Sequence, residues 1–235
     1  MIYVMSDLHG CFEKYKKMLK EIDFSSRDIL YVLGDIIDRG ENGGIDILLD
    51  MMGRRNVIPL CGNHEYMARS MLVDICYPKD ENQRGYFADG KINADDYEFM
   101  LWMMNGGQTT LDAFLALPDM KKKAVIEYIG SFMMFEELTV GNNKFFLSHT
   151  VPEKNVMDNF DDMDFESLLF PYPEYDKVYY EDKYIVTGHV PTFYTDADSS
   201  GRIYRKNNHI AIDCGAVFGK TLGCIRLDDF KEFYV

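Results

Sequence analysis

Ile2-Tyr3-Val4-Met5-Ser6-Asp7-Leu8-His9-Gly10, running on through Cys11 to Ile22, is the stretch whose reading decides the fold. Ile2 to Met5 is a short apolar run, the length of a buried strand, and it stops at Ser6-Asp7. From Cys11 to Ile22 the apolar residues Tyr15, Met18, Leu19 and Ile22 recur at helical spacing, so the segment reads strand, polar loop, amphipathic helix. The same grammar returns with Ile29 to Leu33, a Gly-rich loop and Ile45 to Met52, and again with Val57 to Leu60, a Gly-containing loop and a helix from about Glu65. Alternating strand and helix predicts parallel strands whose polar loops all emerge at the carboxyl ends of the strands.

Beyond this half the pattern changes. Asp95 to Ile129 is helical and Met-rich, broken at Asn105-Gly106-Gly107 and at Pro118, which predicts a small helical insert over about 93–130. Met100, Met103 and Met104 read as its core filler. Strand-like runs follow at Met133 to Val140, Lys144 to Ser148, Lys183 to Thr187, Arg202 to Tyr204, His209 to Asp213, Leu222 to Leu227 and Lys231 to Val235. The expectation is an α/β chain, residues 1–235 as one domain, with two sheets packed face to face and helices outside.

Composition narrows the function. With 39 acidic against 25 basic residues the formal net charge is -14, a field that repels nucleic acid and anionic membrane. The N-terminus has no basic stretch before an apolar one, and no run approaches the ~20 apolar residues that span a bilayer, so a soluble cytoplasmic protein is expected. The five cysteines form no C-x-x-C pair and read as buried reduced thiols.

Each strand-to-helix loop of the first half carries polar residues: Asp7 and His9; Asp35, Asp38 and Arg39; Asn63, His64 and Glu65. In the second half His149 and His189 each follow a predicted strand. Singly, such residues are capping acids or satisfied core histidines. Together, oxygen and imidazole donors without thiolate suit a two-metal site of Mn, Fe or Zn, in which one carboxylate bridges both ions.

Asp7-Leu8-His9-Gly10, Gly34-Asp35-Ile36-Ile37-Asp38-Arg39-Gly40 and Gly62-Asn63-His64-Glu65 resemble the three-part signature of the metallophosphoesterases, in the phosphoprotein phosphatase branch. Within it the chain is similar to the small bacterial and phage serine/threonine phosphatases typified by lambda phosphatase. The likeness extends to Asn105 to Leu111, Ser148-His149, Thr187 to Thr192 and Ile212 to Gly219. It implies a β-sandwich of two mixed sheets flanked by helices, and two divalent or trivalent ions, manganese first, with iron, zinc or nickel as alternatives. Asp7, His9 and Asp35 would bind one ion, and Asp35, Asn63, His149 and His189 the other. A hydroxide between the ions would attack phosphorus in line. His64 would protonate the leaving group, Asp38 would orient His64, Arg39 would clamp phosphoryl oxygens, and Glu65 would brace the loop.

One departure stands out. Relatives of this kind carry an Arg after an aromatic, in a stretch like Leu-Leu-Trp-x-Arg-Pro-x-Tyr, whereas this chain reads Leu168-Leu169-Phe170-Pro171-Tyr172-Pro173-Glu174-Tyr175, with Tyr172 in place of the Arg. Phosphate binding should weaken unless Arg202 or Arg205 substitutes. The resemblance puts hydrolysis of a phosphoprotein or small phosphoester first. Symmetrical diadenosine tetraphosphate hydrolysis comes second, and a phosphopeptide-binding pseudophosphatase third. His209 reads as structural, Asp213 as a turn residue or a partner of a ligand histidine, and Lys121-Lys122-Lys123 as a solvated face.

Overall fold

The computed structural model describes residues 1–77, 97–152, 166–195 and 201–235. Strands β1 (Ile2–Met5), β2 (Ile29–Val32) and β3 (Val57–Pro59) lie parallel and adjacent. Helices α1 (Phe12–Glu21) and α2 (Ile45–Met52) connect them, and α3 (Asn63–Cys76) follows β3, so that Asn63, His64 and Glu65 form its first turn. The helical insert contains α4 (Tyr97–Met104), α5 (Gln108–Leu115) and α6 (Asp119–Gly130), broken where the Gly pair and Pro118 predict; its expected start at 93 lies outside the described residues.

The second sheet contains β4 (Phe135–Val140), β5 (Asn143–Ser148), β6 (Tyr184–Thr187), β7 (Tyr204–Lys206) and β8 (His209–Ala211). Its order is β4-β5-β6-β8-β7, with a parallel centre and antiparallel edges. A short helix, α7 (Glu166–Leu169), precedes the Tyr172 loop. The reading by halves misses one feature: β9 (Gly223–Arg226) and β10 (Lys231–Tyr234) leave the second half and run antiparallel onto β1, giving a first sheet β10-β9-β1-β2-β3. Strand β1 would otherwise present a bare edge of backbone donors and acceptors.

Both sheets are therefore mixed, and they pack face to face. Alternation along each strand sorts the side chains: Val4, Tyr31 and Leu33 meet Phe145, Leu147 and Val186 between the sheets, while Tyr3, Met5, Leu30 and Val32 face the helices. On the outer face of the second sheet, Phe146 and Ile185 pack with Val151, Tyr179 and Tyr180. The insert's core is built around Phe99 and Trp102, with the half-buried Met103 packed against it as expected, whereas Met100 and Met104 are 46% and 82% exposed, because α4 turns that face outward. Cys61, Cys214 and Cys224 are buried, Cys11 and Cys76 half-buried. Among the described residues no helix is long and apolar enough to cross a membrane.

Candidate functional site

The loops after β1, β2, β3, β5 and β6 converge, and they do so in unusual backbone conformations. Asp7, His9, Asp35, Asp38, Arg39 and His189 all have positive φ, at 53°, 39°, 51°, 71°, 67° and 68°. Non-glycine residues there cost roughly 1–3 kcal/mol each and persist only where the surroundings over-determine them. The surroundings do. The buried Glu65 carboxylate accepts four backbone N–H groups, from Asp35, Ile36, Ile37 and Gly62, at 2.9, 2.8, 3.2 and 2.9 Å. Gly34 lies at φ 84°, where an added Cβ would fall 2.5 Å from the Gly62 backbone, so the two loops touch only because neither carries a side chain there. Glu65 is thus the expected brace.

Three histidines point one ring nitrogen inward and anchor the other on a carbonyl. His9 Nδ1–H donates to Ile37 O at 2.8 Å and His149 Nδ1–H to Leu33 O at 2.8 Å. The His189 ring donates to the Phe170 carbonyl, so its Nδ1 is the inward atom. These anchors fix the tautomers and leave lone pairs facing the site. His149 Nε2 then lies 2.8 Å from Asn63 Oδ1, 3.1 Å from His189 Nδ1 and 3.4 Å from Asp35 Oδ1. His189 Nδ1 is 3.0 Å from the same Asn63 oxygen.

Four acceptor atoms in mutual contact, with every available ring proton spent elsewhere, repel one another unless a cation lies among them. Protonation does not relieve this, because burial lowers the basicity of His149 and takes His189 down to about 4. The donor set therefore fits a metal ion. On the other side of Asp35, Oδ2 is 3.5 Å from His9 Nε2 and 3.8 Å from His64 Nε2. One carboxylate offers an oxygen to each of two clusters, His9–Asp35–His64 and Asp35–His149–His189. Asp7 is buried beside them with its oxygens on the His189 amide at 3.2 and 3.0 Å, so His64 rather than Asp7 completes the tight first cluster.

Charge points the same way. Asp7, Asp35, Asp38, Glu65 and Asp213 are all buried, and burial is the main force raising each. Asp7 and Asp213 also repel each other, as do Asp35 and Asp7. Arg39 is the cation within this group, and two divalent ions would balance the excess.

His64 Nδ1 lies 2.6 Å from Asp38 Oδ2, and its Nε2 is 3.0 Å from Arg39 Nη2. Arg39 Nη1–H donates to His9 Nε2 at 2.8 Å. Burial pushes Asp38 up to about 7, against hydrogen bonds from Thr110 and Trp102 and the Arg39 charge. Trp102 Nε1–H donates to both Asp38 oxygens at 3.1 and 2.9 Å, and Thr110 Oγ1 donates to Oδ1 at 2.5 Å. The Asn105 and Gly106 carbonyls hold Arg39 Nε and its amide at 3.3 and 3.1 Å. Gly106 has φ 100°, and a Cβ there would meet Arg39 Cγ at 2.7 Å. So the insert positions Asp38 and Arg39. Sequence reading missed Trp102 and Thr110; the one signal was a lone tryptophan three residues from the Asn-Gly-Gly break.

Tyr172 reaches the site, its ring 5.7 Å from that of His189. Arg202 stacks on Tyr234 and Arg205 pairs with Glu232 at 2.6 Å, so neither supplies the substitute clamp. Asp213 accepts the Gly215 amide at 2.9 Å. His209 is buried against Tyr175, with Nε2 2.8 Å from Thr187 Oγ1, in keeping with a structural role.

The sequence profile of the calcineurin-like phosphoesterases matches residues 1–215. A symmetrical bis(5'-nucleosyl)-tetraphosphatase of Wigglesworthia glossinidia brevipalpis is 30% identical over 103 residues, 43% of this chain and 36% of the relative. One of Buchnera aphidicola subsp. Acyrthosiphon pisum is 26% identical over 131 residues, 54% of this chain and 43% of the relative. The chain thus spans less than half the length of these curated relatives. Among solved structures, a candidate diadenosine tetraphosphatase superposes with TM-score 0.62 at 16% identity, over 100% of this chain and 92% of that one. A cold-active protein-tyrosine phosphatase of Shewanella gives 0.52 at 14%, over 99% and 79%. At such identities both show the fold alone.

Proposed function

This chain belongs to the calcineurin-like phosphoesterase family, and from that premise we propose that it is a two-metal hydrolase that splits a dinucleoside tetraphosphate symmetrically. The observation that carries the hydrolase is the Asp35 carboxylate, with one oxygen toward the unmatched lone pairs of His149, His189 and Asn63 and the other toward His9 and His64, whose Nε2 atoms face Arg39. The substrate reading rests on the names of the curated relatives, which favour the dinucleotide over the phosphoprotein preferred from sequence.

In this reading His9 and Asp35 would hold one ion together with Asp7, which lies outside the tight His9–Asp35–His64 cluster, and Asp35, Asn63, His149 and His189 would hold the other, with manganese the first expectation. Bound ions supply Lewis acidity and lower the pKa of water toward neutrality. The protein supplies the rest. His64 is the proposed proton donor to the departing phosphate oxygen: its Nε2 accepts from Arg39 in this structure and would first take up a proton, while Asp38 accepts Nδ1–H, keeps the ring aimed and stabilises the imidazolium that gives the proton up. Arg39, held by the Asn105 and Gly106 carbonyls, presents its guanidinium to phosphoryl oxygens. An intact Asp38–Arg39–His64 array supports turnover and speaks against a pseudophosphatase.

A phosphomonoester, including a serine/threonine phosphoprotein, is the second reading, and this is where the phosphoprotein phosphatase branch belongs. The net charge of -14 favours it, since a polyanion is repelled more than a monoester. Chromatography of the products decides: with Mn²⁺, diadenosine tetraphosphate plus water should give two ADP. Phosphate release from phosphopeptides with no cleavage of the dinucleotide would replace the first reading by the second.

A further inference from the structure

Two large aromatic rings stand in solvent at the site, one beside each cluster. Tyr172 is 78% exposed and packs edge-on against His189 of the second cluster. Phe218 is 49% exposed and lies 5.7 Å from the guanidinium of Arg39, which faces His9 and His64 of the first.

Neither ring is loose. Tyr172 sits between Pro171 and Pro173, which restrict the backbone. The Pro171 carbonyl accepts the Thr150 hydroxyl at 2.6 Å, and the Phe170 carbonyl accepts the His189 ring. Phe218 ends a tight turn between Gly215 and Gly219, and Phe193 backs its ring edge-to-face at 5.7 Å. An exposed aromatic contributes little to folding, and a rigidly mounted one gives up little entropy when a flat ligand lies on it.

Building on the dinucleotide reading above, we propose that Tyr172 and Phe218 are two base-stacking positions, flanking the clusters so that a substrate with a nucleoside at each end is gripped at both ends while its phosphates lie between them, over the two clusters. A polyphosphate chain binds by charge, and in a protein of net charge -14 that attraction is local to the site. Stacking adds affinity that does not depend on charge. It also gives Tyr172 a use that an arginine in its place would serve less well.

The test is equilibrium binding by calorimetry to the Mn²⁺-loaded protein, in a His64→Asn background that suppresses turnover. The probes are diadenosine tetraphosphate and linear inorganic tetraphosphate. Base–aromatic stacking by alanine substitution corresponds to roughly 5-fold or more per base. Tyr172→Ala and Phe218→Ala should each weaken the dinucleotide by about that factor and leave inorganic tetraphosphate within about twofold, while Tyr172→Phe and Phe218→Tyr retain dinucleotide affinity. Both side chains are exposed, so the variants should fold, which circular dichroism checks. Equal losses for the two probes, or a wild-type rim that does not prefer the dinucleotide, would overturn the proposal. The readouts separate the two readings: release of two ADP without base-dependent binding removes the stacking positions and keeps the hydrolase, whereas base-dependent binding without dinucleotide cleavage does the reverse.

Discussion

Trp102→Phe isolates one contact. The substitution keeps an aromatic ring in the pocket but deletes the N–H that donates to Asp38 Oδ1 and Oδ2 at 3.1 and 2.9 Å. Asp38 is fully buried, so the lost bond is not replaced by water. Hydrogen bonds to charged groups contribute about 1.5–3 kcal/mol, and in a chain of this size each kcal/mol moves the melting temperature by roughly 2–4 °C. A fall of roughly 3–12 °C is therefore expected. Thr110 still holds Asp38 Oδ1, so the carboxylate stays in place but is less well kept ionised. It then orients His64 less firmly.

Turnover should fall by about 10-fold or more on substrates whose leaving oxygen needs a proton, a part of the 10²- to 10⁴-fold that a general acid supplies. On p-nitrophenyl phosphate, whose leaving group departs as a stable anion, the loss should be small. The assay is kcat on both substrates beside a thermal melt, with His64→Asn as the limiting case. Lower stability with kcat unchanged on the poor leaving group would refute the chain from Trp102 through Asp38 to His64. Equal losses on both substrates would refute His64 as the proton donor.

Asp35→Asn removes the charge between the clusters while its amide oxygen can still accept the His64 backbone N–H now bonded at 3.1 Å, so metal content should drop well below two ions per chain in a folded protein; elemental analysis showing two would remove the bridging role. Tyr172→Arg should tighten inhibition by inorganic phosphate by up to about 10-fold, since an exposed guanidinium gains a charge-assisted contact discounted by solvent; unchanged inhibition would mean that position 172 does not reach phosphate. His209 is held at about 4 by burial, below its ordinary 6.5. It stays neutral in the folded chain and protonates in the unfolded one, so its contribution to stability is present above pH 6.5 and lost as pH falls toward 4. Urea midpoints of wild type should therefore fall between those limits more steeply than those of His209→Gln, and parallel curves would show that burial does not perturb this histidine.

The first half was legible because its signals are local. A four-residue apolar run, a polar loop and a helix-spaced run specify strand, loop and helix wherever they occur, and three repeats place Asp7, His9, Asp35, Asn63 and His64 at strand ends before any coordinate is known. The breaks at Asn105-Gly106-Gly107 and Pro118 were equally readable, since both disfavour helix by backbone chemistry alone. The exposed Met100 and Met104 were not, because residue type does not say which face of a helix finds a partner.

What only the tertiary structure decided are the pairings between distant segments. Residues 38 and 102 meet because α4 packs its apolar side against α3 and so delivers an indole N–H to Asp38, a contact no spacing encodes. His189 shows its Nδ1 rather than its Nε2 because the loop after α7 happens to offer the Phe170 carbonyl on the other side. Strands β9 and β10 complete the first sheet because β1 has an edge to fill. Periodicity is a property of neighbours in the chain and can be read from it; the direction of a lone pair is set by whatever the packed core brings to the opposite side of the ring, and is known only once the chain has closed on itself.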